Sequence, residues 1–162
     1  MDQPMITRRK ALAVAGAAAG ALGASAALTG VPGVQAASGA AGDAVAGTWD
    51  VMVTSAVSGA PPFTSIVAFA PGGSLVTMDN QGPGNVSLGA WEREGGGAFR
   101  AVFDTFAFDP TGLFIGTAII RPKGSVDGDR IHGTYTVDFR PASGPTQHGV
   151  DHGAFSGSRI EP

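Results

Sequence analysis

The 162-residue sequence contains no cysteine, and this absence excludes disulfide bonds, thiolate metal sites and cysteine nucleophiles. Charged residues are also scarce, at 14% of the chain. From residue 47 onward no ten-residue stretch keeps the apolar spacing of a helix. A chain without disulfide bonds must be stabilised by an apolar core, and a single domain of this size is large enough to bury one.

Basic clusters are absent beyond residue 36. Seven basic residues are scattered there among twelve acidic ones, which gives a formal net charge of −5. Nucleic acids and anionic membrane surfaces are bound through clustered Lys and Arg side chains. The sequence therefore predicts that neither is a partner.

The N-terminus carries an export-like pattern. Residues 7–10 read Thr-Arg-Arg-Lys, a weakly apolar Ala/Gly-rich run follows to about residue 31, and residues 34–36 offer a small-residue exit. This pattern resembles a twin-arginine export signal. The resemblance implies a cleaved signal peptide over 1–36, with the twin-arginine translocase and signal peptidase as export partners. It also implies an exported protein that is secreted, periplasmic or in the cell envelope; the general secretory route and an uncleaved anchor remain open.

The rest of the chain is predicted to be a short linker and one all-β domain. Residues 37–46 are nearly all Ala, Gly and Ser, which is typical of a flexible linker. Residues 47–162 alternate short apolar runs with Gly and Pro clusters, and Asp127-Gly128-Asp129 is one of the predicted hairpin turns. The predicted strands are 48–54, 63–70, 74–79, 87–93, 98–108, 113–121, 130–140 and 149–160. Eight sequential antiparallel strands avoid free edges by closing into an up-and-down barrel.

Two strands allow their faces to be assigned. In 130–140, Ile131, Tyr135, Val137 and Phe139 alternate with polar residues, so they are predicted to face the interior. In 98–108 the aromatic positions change from odd to even numbers near residues 104 and 105, which predicts a bulge there.

Gly47-Thr48-Trp49 resembles the Gly-x-Trp opening of the lipocalin and wider calycin barrels. The resemblance implies an eight-stranded barrel in which Trp49 closes one end and Arg159, near the end of the last strand, lies across its ring. The domain is also similar in architecture to the allene oxide cyclase barrels. That similarity implies a barrel enzyme, a cyclase or isomerase acting on an apolar substrate, as the alternative function.

Six aromatic residues are the candidates for lining a ligand cavity: Phe69, Trp91, Phe103, Phe114, Tyr135 and Phe139. The best candidate for a polar site contains His148, Asp151 and His152, which His132 joins if the strands align. Solvent-exposed histidines, a metal site and a general base are all compatible with this spacing, and exposed histidines are favoured. No metal or cofactor is predicted. The loop 79–85 either forms a rim at the open end of the barrel or is simply an exposed loop.

Three hypotheses for function follow, led by a barrel that binds a small apolar molecule without chemistry. The second is the barrel enzyme, in which one His or Asp moves a proton. The third is a protein-interaction module. An internal cavity favours the first two, an inward-facing His or Asp favours the enzyme over the carrier, and a filled barrel with an exposed apolar patch favours the third.

Overall fold

Short runs of alternating inward and outward side chains, separated by Gly- and Pro-rich turns, form eight strands in the computed structural model, which describes residues 44–57, 59–81 and 86–161. The strands are β1 (Gly47–Ser55), β2 (Phe63–Phe69), β3 (Ser74–Asp79), β4 (Val86–Gly95), β5 (Ala98–Phe108), β6 (Phe114–Asp127), β7 (Arg130–Pro141) and β8 (Gln147–Arg159). Each pairs antiparallel with its neighbours in sequence, and β8 pairs with β1 to close a barrel. The predicted all-β, eight-stranded up-and-down barrel is confirmed.

The connections differ at the two ends of the barrel. At one end β2–β3, β4–β5 and β6–β7 are joined by tight turns at 70–73, 96–97 and 128–129. Gly128 in the last of these has a φ of 56°, a left-handed conformation that glycine adopts without strain. The connections after β1, β3, β5 and β7 are all longer and lie at the opposite end. One end is thus compact, and the other is bordered by loops.

Large side chains fill the compact end. Trp49, Leu75, Phe99 and Ile131 are fully buried there, and the Phe69 ring meets Trp91 and Phe99 edge-on at centroid distances of 5.5 and 5.2 Å. Edge-to-face packing of this kind is the favoured geometry for aromatic pairs. This end of the barrel is therefore closed by a packed core.

Arg159 lies over the Trp49 ring, with its guanidinium carbon 4.2 Å from the ring centroid. The same guanidinium donates to the carbonyl oxygens of Ala46 and Ala44, and the Trp49 indole donates to the carbonyl oxygen of Val45 at 2.9 Å. Residues 44–46, which the sequence placed at the end of the linker, are thus bonded to the closed end, and Val45 is buried. The predicted signal peptide and the remainder of the predicted linker lie outside the described residues.

Two strand details differ from the sequence-based expectation. The expected bulge at residues 104 and 105 is wrong: Thr105 and Ala107 stay inward, Phe106 points outward with 63% of its surface exposed, and the register with β6 shifts instead between Ala107 and Phe108. Strand β6 continues to Asp127, beyond the predicted end at 121, although Pro122 interrupts its ladder with β5. A proline lacks the N–H that such a ladder needs. On its other side, however, β6 stays paired with β7 through Pro122 and beyond it, so the strand continues.

Within residues 44–57, 59–81 and 86–161, no helix is long and apolar enough to span a membrane.

Candidate ligand cavity

The half of the barrel away from Trp49 contains a cavity of about 1190 Å³. Apolar side chains from all strands except β4 supply most of its wall, among them Val53, Phe63, Val67, Phe103, Ile120 and Val137. Polar residues at the loop-bordered end surround its mouth, among them Asp79, Gln81, Asp109 and Gln147. A concave, mostly apolar site with a few polar groups is the usual form of a small-molecule site.

Four of the six predicted ligand-binding aromatics line this cavity: Phe69, Phe103, Tyr135 and Phe139. Trp91 does not, because its ring packs in the closed end and its indole donates to the carbonyl oxygen of Ala70 at 2.9 Å. Phe114 does not either. It is 42% exposed on the outer surface, where its ring meets Phe106 and Phe108 edge-on, because the register shift at the start of β6 turns it outward.

Hydroxyl groups in the wall are largely paired with one another. The Ser65 and Thr77 hydroxyls are 2.7 Å apart on neighbouring strands, and Thr105 pairs in the same way with Ser87. Across the described residues, no fully buried side-chain nitrogen or oxygen is without a hydrogen-bond partner. These hydroxyls therefore do not need a polar ligand group as a hydrogen-bond partner.

A carboxylate lies in the wall of the cavity. Asp151, on β8, is only 2% exposed and has the same inward orientation as Gly153 and Phe155. Its Oδ1 accepts hydrogen bonds from the Ser55 hydroxyl and from the backbone N–H of His152, both at 2.7 Å. Buried carboxylates are rare because desolvation disfavours the charge, so Asp151 is the most unusual group in the interior.

Glycine at position 153 brings Tyr135 close to Asp151. In the sheet Gly153 lies directly between Ser55 on β1 and Tyr135 on β7. A Cβ on Gly153 would lie 2.8 Å from the Tyr135 hydroxyl oxygen, so only glycine leaves space for the phenol to extend across β8. The Tyr135 hydroxyl consequently hydrogen-bonds with the side chain of Ser55, which in turn donates to Asp151. We call Ser55, Tyr135 and Asp151 the polar relay.

The environment of the relay keeps Tyr135 neutral. Burial of the phenol, followed by the nearby Asp151 carboxylate, raises the pKa of Tyr135 to about 12, and the hydrogen bond with Ser55 opposes this shift only in part. Tyr135 thus remains a hydrogen-bond donor at neutral pH.

A second carboxylate fixes the rim where β7 meets β8. Asp138 accepts from the Gly149 N–H at 2.9 Å, from His148 Nδ1 at 3.1 Å and from the Arg121 guanidinium at 2.6 Å. The Gly149 and His148 bonds, with Arg121 adding to them, lower the pKa of Asp138 to about 2. The register shift between Val137 and Phe139, with a φ of 61° at Gly149, leaves His148 at the cavity mouth.

The three histidines lie in different places. His132 is on the outer surface, bonded through Nε2 to Ser125 at 3.1 Å, and His152 is also exposed, whereas His148 lines the mouth. In the part of the chain that the structure describes, no group of three His, Asp or Glu side chains is placed to hold a metal ion. In the loop 79–85, Asp79 and Gln81 border the cavity, and residues 82–85 lie outside the described residues.

Sequence reasoning did not identify the polar relay. It grouped Asp151 with His148 and His152 as one polar cluster, but it did not determine which of these side chains faces the interior. The signal was Phe155: counting back by two from this aromatic gives Gly153 and Asp151 on the inward face. No local signal marks Ser55, because its role depends on the pairing of the first and last strands.

The outer face of β2–β4 exposes an unusual number of apolar side chains. Cross-strand neighbours there include Ile66 with Met78, Met78 with Val86, and Val76 with Leu88. The exposed patch expected for an interaction module is thus present, but the filled barrel expected with it is not, because the interior holds the cavity.

No protein-family model, no curated protein and no solved structure matches this chain.

Proposed function

We propose that this barrel binds a small, mainly apolar molecule in its internal cavity. The observation that carries the proposal is the cavity of about 1190 Å³, which is closed at one end by the packed aromatics and bordered by polar loops at the other. Transfer of apolar ligand surface from water into such a site contributes roughly 25 cal/mol per Å² before the costs of binding. The export pattern of residues 7–36 supports an action outside the cytoplasm.

The binding test uses N-phenylnaphthylamine, a neutral fluorophore that brightens in apolar surroundings. We expect saturable enhancement with the wild-type barrel. Ala118→Trp fills the cavity from β6, next to Thr105 and Phe139, and should abolish the enhancement. Ala154→Trp places the same ring on the exposed outer face and should bind the probe like wild type. Equal binding by the two variants, or none by wild type, would refute the proposal.

The second candidate is a barrel enzyme, and the observation that favours it is the inward-facing Asp151. A buried carboxylate that is connected through Ser55 to a neutral phenol pairs a proton acceptor with a proton donor. Proton removal at one carbon and return at another would isomerise a ligand without a cofactor. Any molecule that copurifies with the protein can be recovered and incubated with fresh protein in deuterium oxide. Deuterium uptake that Asp151→Asn abolishes supports an enzyme, and unchanged ligand supports a carrier.

A further inference from the structure

Three aspartates line the cavity. Asp79 and Asp109 border its mouth and Asp151 lies in its wall. Among the residues that the structure describes, no Lys or Arg side chain lines the cavity. Of the described residues that line the cavity, His148 is the only one with a basic side chain, and its Nδ1 lies 3.1 Å from the carboxylate of Asp138.

The negative charge of Asp151 is not cancelled by an ion pair. Its partners, the Ser55 hydroxyl and the His152 backbone N–H, are neutral, and no salt bridge to it occurs within the described part of the chain. In a poorly polarisable interior, a carboxylate acts on nearby charges much more strongly than it does in water. With 2% exposure it acts through its field and through the relay, more than by direct contact.

Asp109 adds a fixed negative charge at the mouth. Its Oδ1 accepts from the Thr111 hydroxyl and from the backbone N–H groups of Thr111 and Leu113 at 2.6, 2.8 and 3.0 Å. These bonds, that with the Thr111 hydroxyl foremost, lower the pKa of Asp109, so the carboxylate is ionised at neutral pH. An anion entering the cavity must pass this charge, whereas a cation is attracted by it.

Aromatic rings supply the other component of a cation site. Phe63, Phe103, Phe139 and Tyr135 line the cavity. The face of an aromatic ring attracts an ammonium group, and the attraction grows when the site is shielded from water.

We infer that the cavity selects an apolar molecule that carries a protonated amine and discriminates against a carboxylate of the same size. This inference rests on the proposed binding function and specifies its ligand class. A ligand of this kind would bury its apolar body against the Val, Ile and Phe wall, and its ammonium would interact with the ring faces and the field of the aspartates.

The experiment compares three competitors with one apolar chain and different head groups. Decylammonium, decanol and decanoate are titrated against bound N-phenylnaphthylamine at neutral pH, below their micelle concentrations. We expect decylammonium to displace the probe at roughly tenfold lower concentration than decanol, and decanoate to be the weakest, in keeping with one poorly screened charge pair. Added salt should narrow the difference, because it screens the carboxylates at the mouth.

Asp151→Asn tests the source of the selectivity. It removes the internal charge and keeps the hydrogen-bonding shape, so the decylammonium-to-decanol preference should fall about fivefold. Asp50→Asn removes the same charge from the exposed side of β1 and should leave the preference unchanged. If Asp151→Asn does not fold, the wild-type competitor series and its salt dependence still decide the question.

The outcomes separate the two proposals. Failure of the neutral probe to bind overturns the binding function itself. Probe binding with displacement by decanol, but with decanoate equal to or better than decylammonium, overturns the ligand class and leaves the binding function intact. Equal preference in Asp151→Asn and wild type, with both folded, shows that the selectivity does not come from this carboxylate.

Discussion

At the scale of single residues, the position of the Tyr135 hydroxyl is set by a side chain that is absent. Gly153 separates Tyr135 from Ser55 in the sheet, and any larger residue would meet both the phenol and the Thr54 carbonyl oxygen. The phenol therefore spans the neighbouring strand and joins Ser55 and Asp151 inside the barrel. The first strand and the last two strands thereby contribute to one polar group.

The pKa of Tyr135 can be measured without interference, because it is the only tyrosine in the chain. The absorbance of phenolate in the near ultraviolet should rise with a midpoint near pH 12 in the folded protein. Asp151→Asn removes a nearby negative charge and should lower the midpoint, because the phenolate is then easier to form. The denaturant-unfolded chain is the control and should titrate near the ordinary value of about 10. A folded-state midpoint at that value would contradict the described environment.

The residues of the cavity could be predicted only where alternation identified a face. Tyr135, Val137 and Phe139 were found because β7 alternates apolar and polar residues without interruption. Phe114 was misplaced and Ser55 was missed, because their positions depend on the register between strands. Ser55 pairs with Gly153 near the other end of the chain, and Phe114 is turned outward by the register shift at the β5–β6 connection; a single sequence specifies neither.

At the scale of elements, β8 completes both ends of the barrel. Its first half contains Gly149, where the register shifts, and Asp151, which lines the cavity. Its last residue, Arg159, lies across the Trp49 ring. The strand count and most boundaries were predictable, because Gly and Pro turns interrupt the alternating runs. The extent of β6 was not, because Pro122 normally ends a strand and here remains within one held by β7.

Arg159 is expected to stabilise the closed end. Arg159→Met keeps the apolar stem but loses the cation over Trp49 and the bonds to the Ala44 and Ala46 carbonyls. The free energy of unfolding in urea should fall by about 1–3 kcal/mol. Arg130→Met, at an exposed position of the β6–β7 hairpin, should change it by less than about 0.5 kcal/mol. Equal losses in the two variants would show that the stacked guanidinium contributes no specific stability.

At the scale of the whole molecule, the barrel combines a packed end that supplies stability with an open end that carries unusual charges. The same strands supply the residues of both ends, so the packed core also fixes the positions of the strands around the cavity. The groups with the most strongly shifted pKa values, Tyr135 and Asp138, lie in the open half. Their titration therefore links the chemistry of the cavity half to the stability of the entire fold.

The shifted pKa values of Tyr135 and Asp138 should both be visible in the pH dependence of the unfolding free energy. The unfolded chain loses its phenolic proton near pH 10 but the folded one near 12, so the contribution of Tyr135 is complete below pH 10 and declines between these values. The folded pKa of Asp138 is about 2 against an ordinary 3.8, so its contribution is complete above pH 4 and declines as the pH falls toward 2. Urea unfolding across the pH range measures both declines.

Matched variants assign each decline to its group. Tyr135→Phe should flatten the decline of the unfolding free energy at alkaline pH and leave the decline at acid pH unchanged. Asp138→Asn should do the reverse. Both expectations hold even if the substitution lowers the stability at neutral pH. The comparison uses the slope of the unfolding free energy against pH, which a loss of stability that is uniform in pH does not alter. An alkaline slope that persists in Tyr135→Phe would assign that decline to other groups and would remove the support for a buried, neutral phenol in the cavity wall.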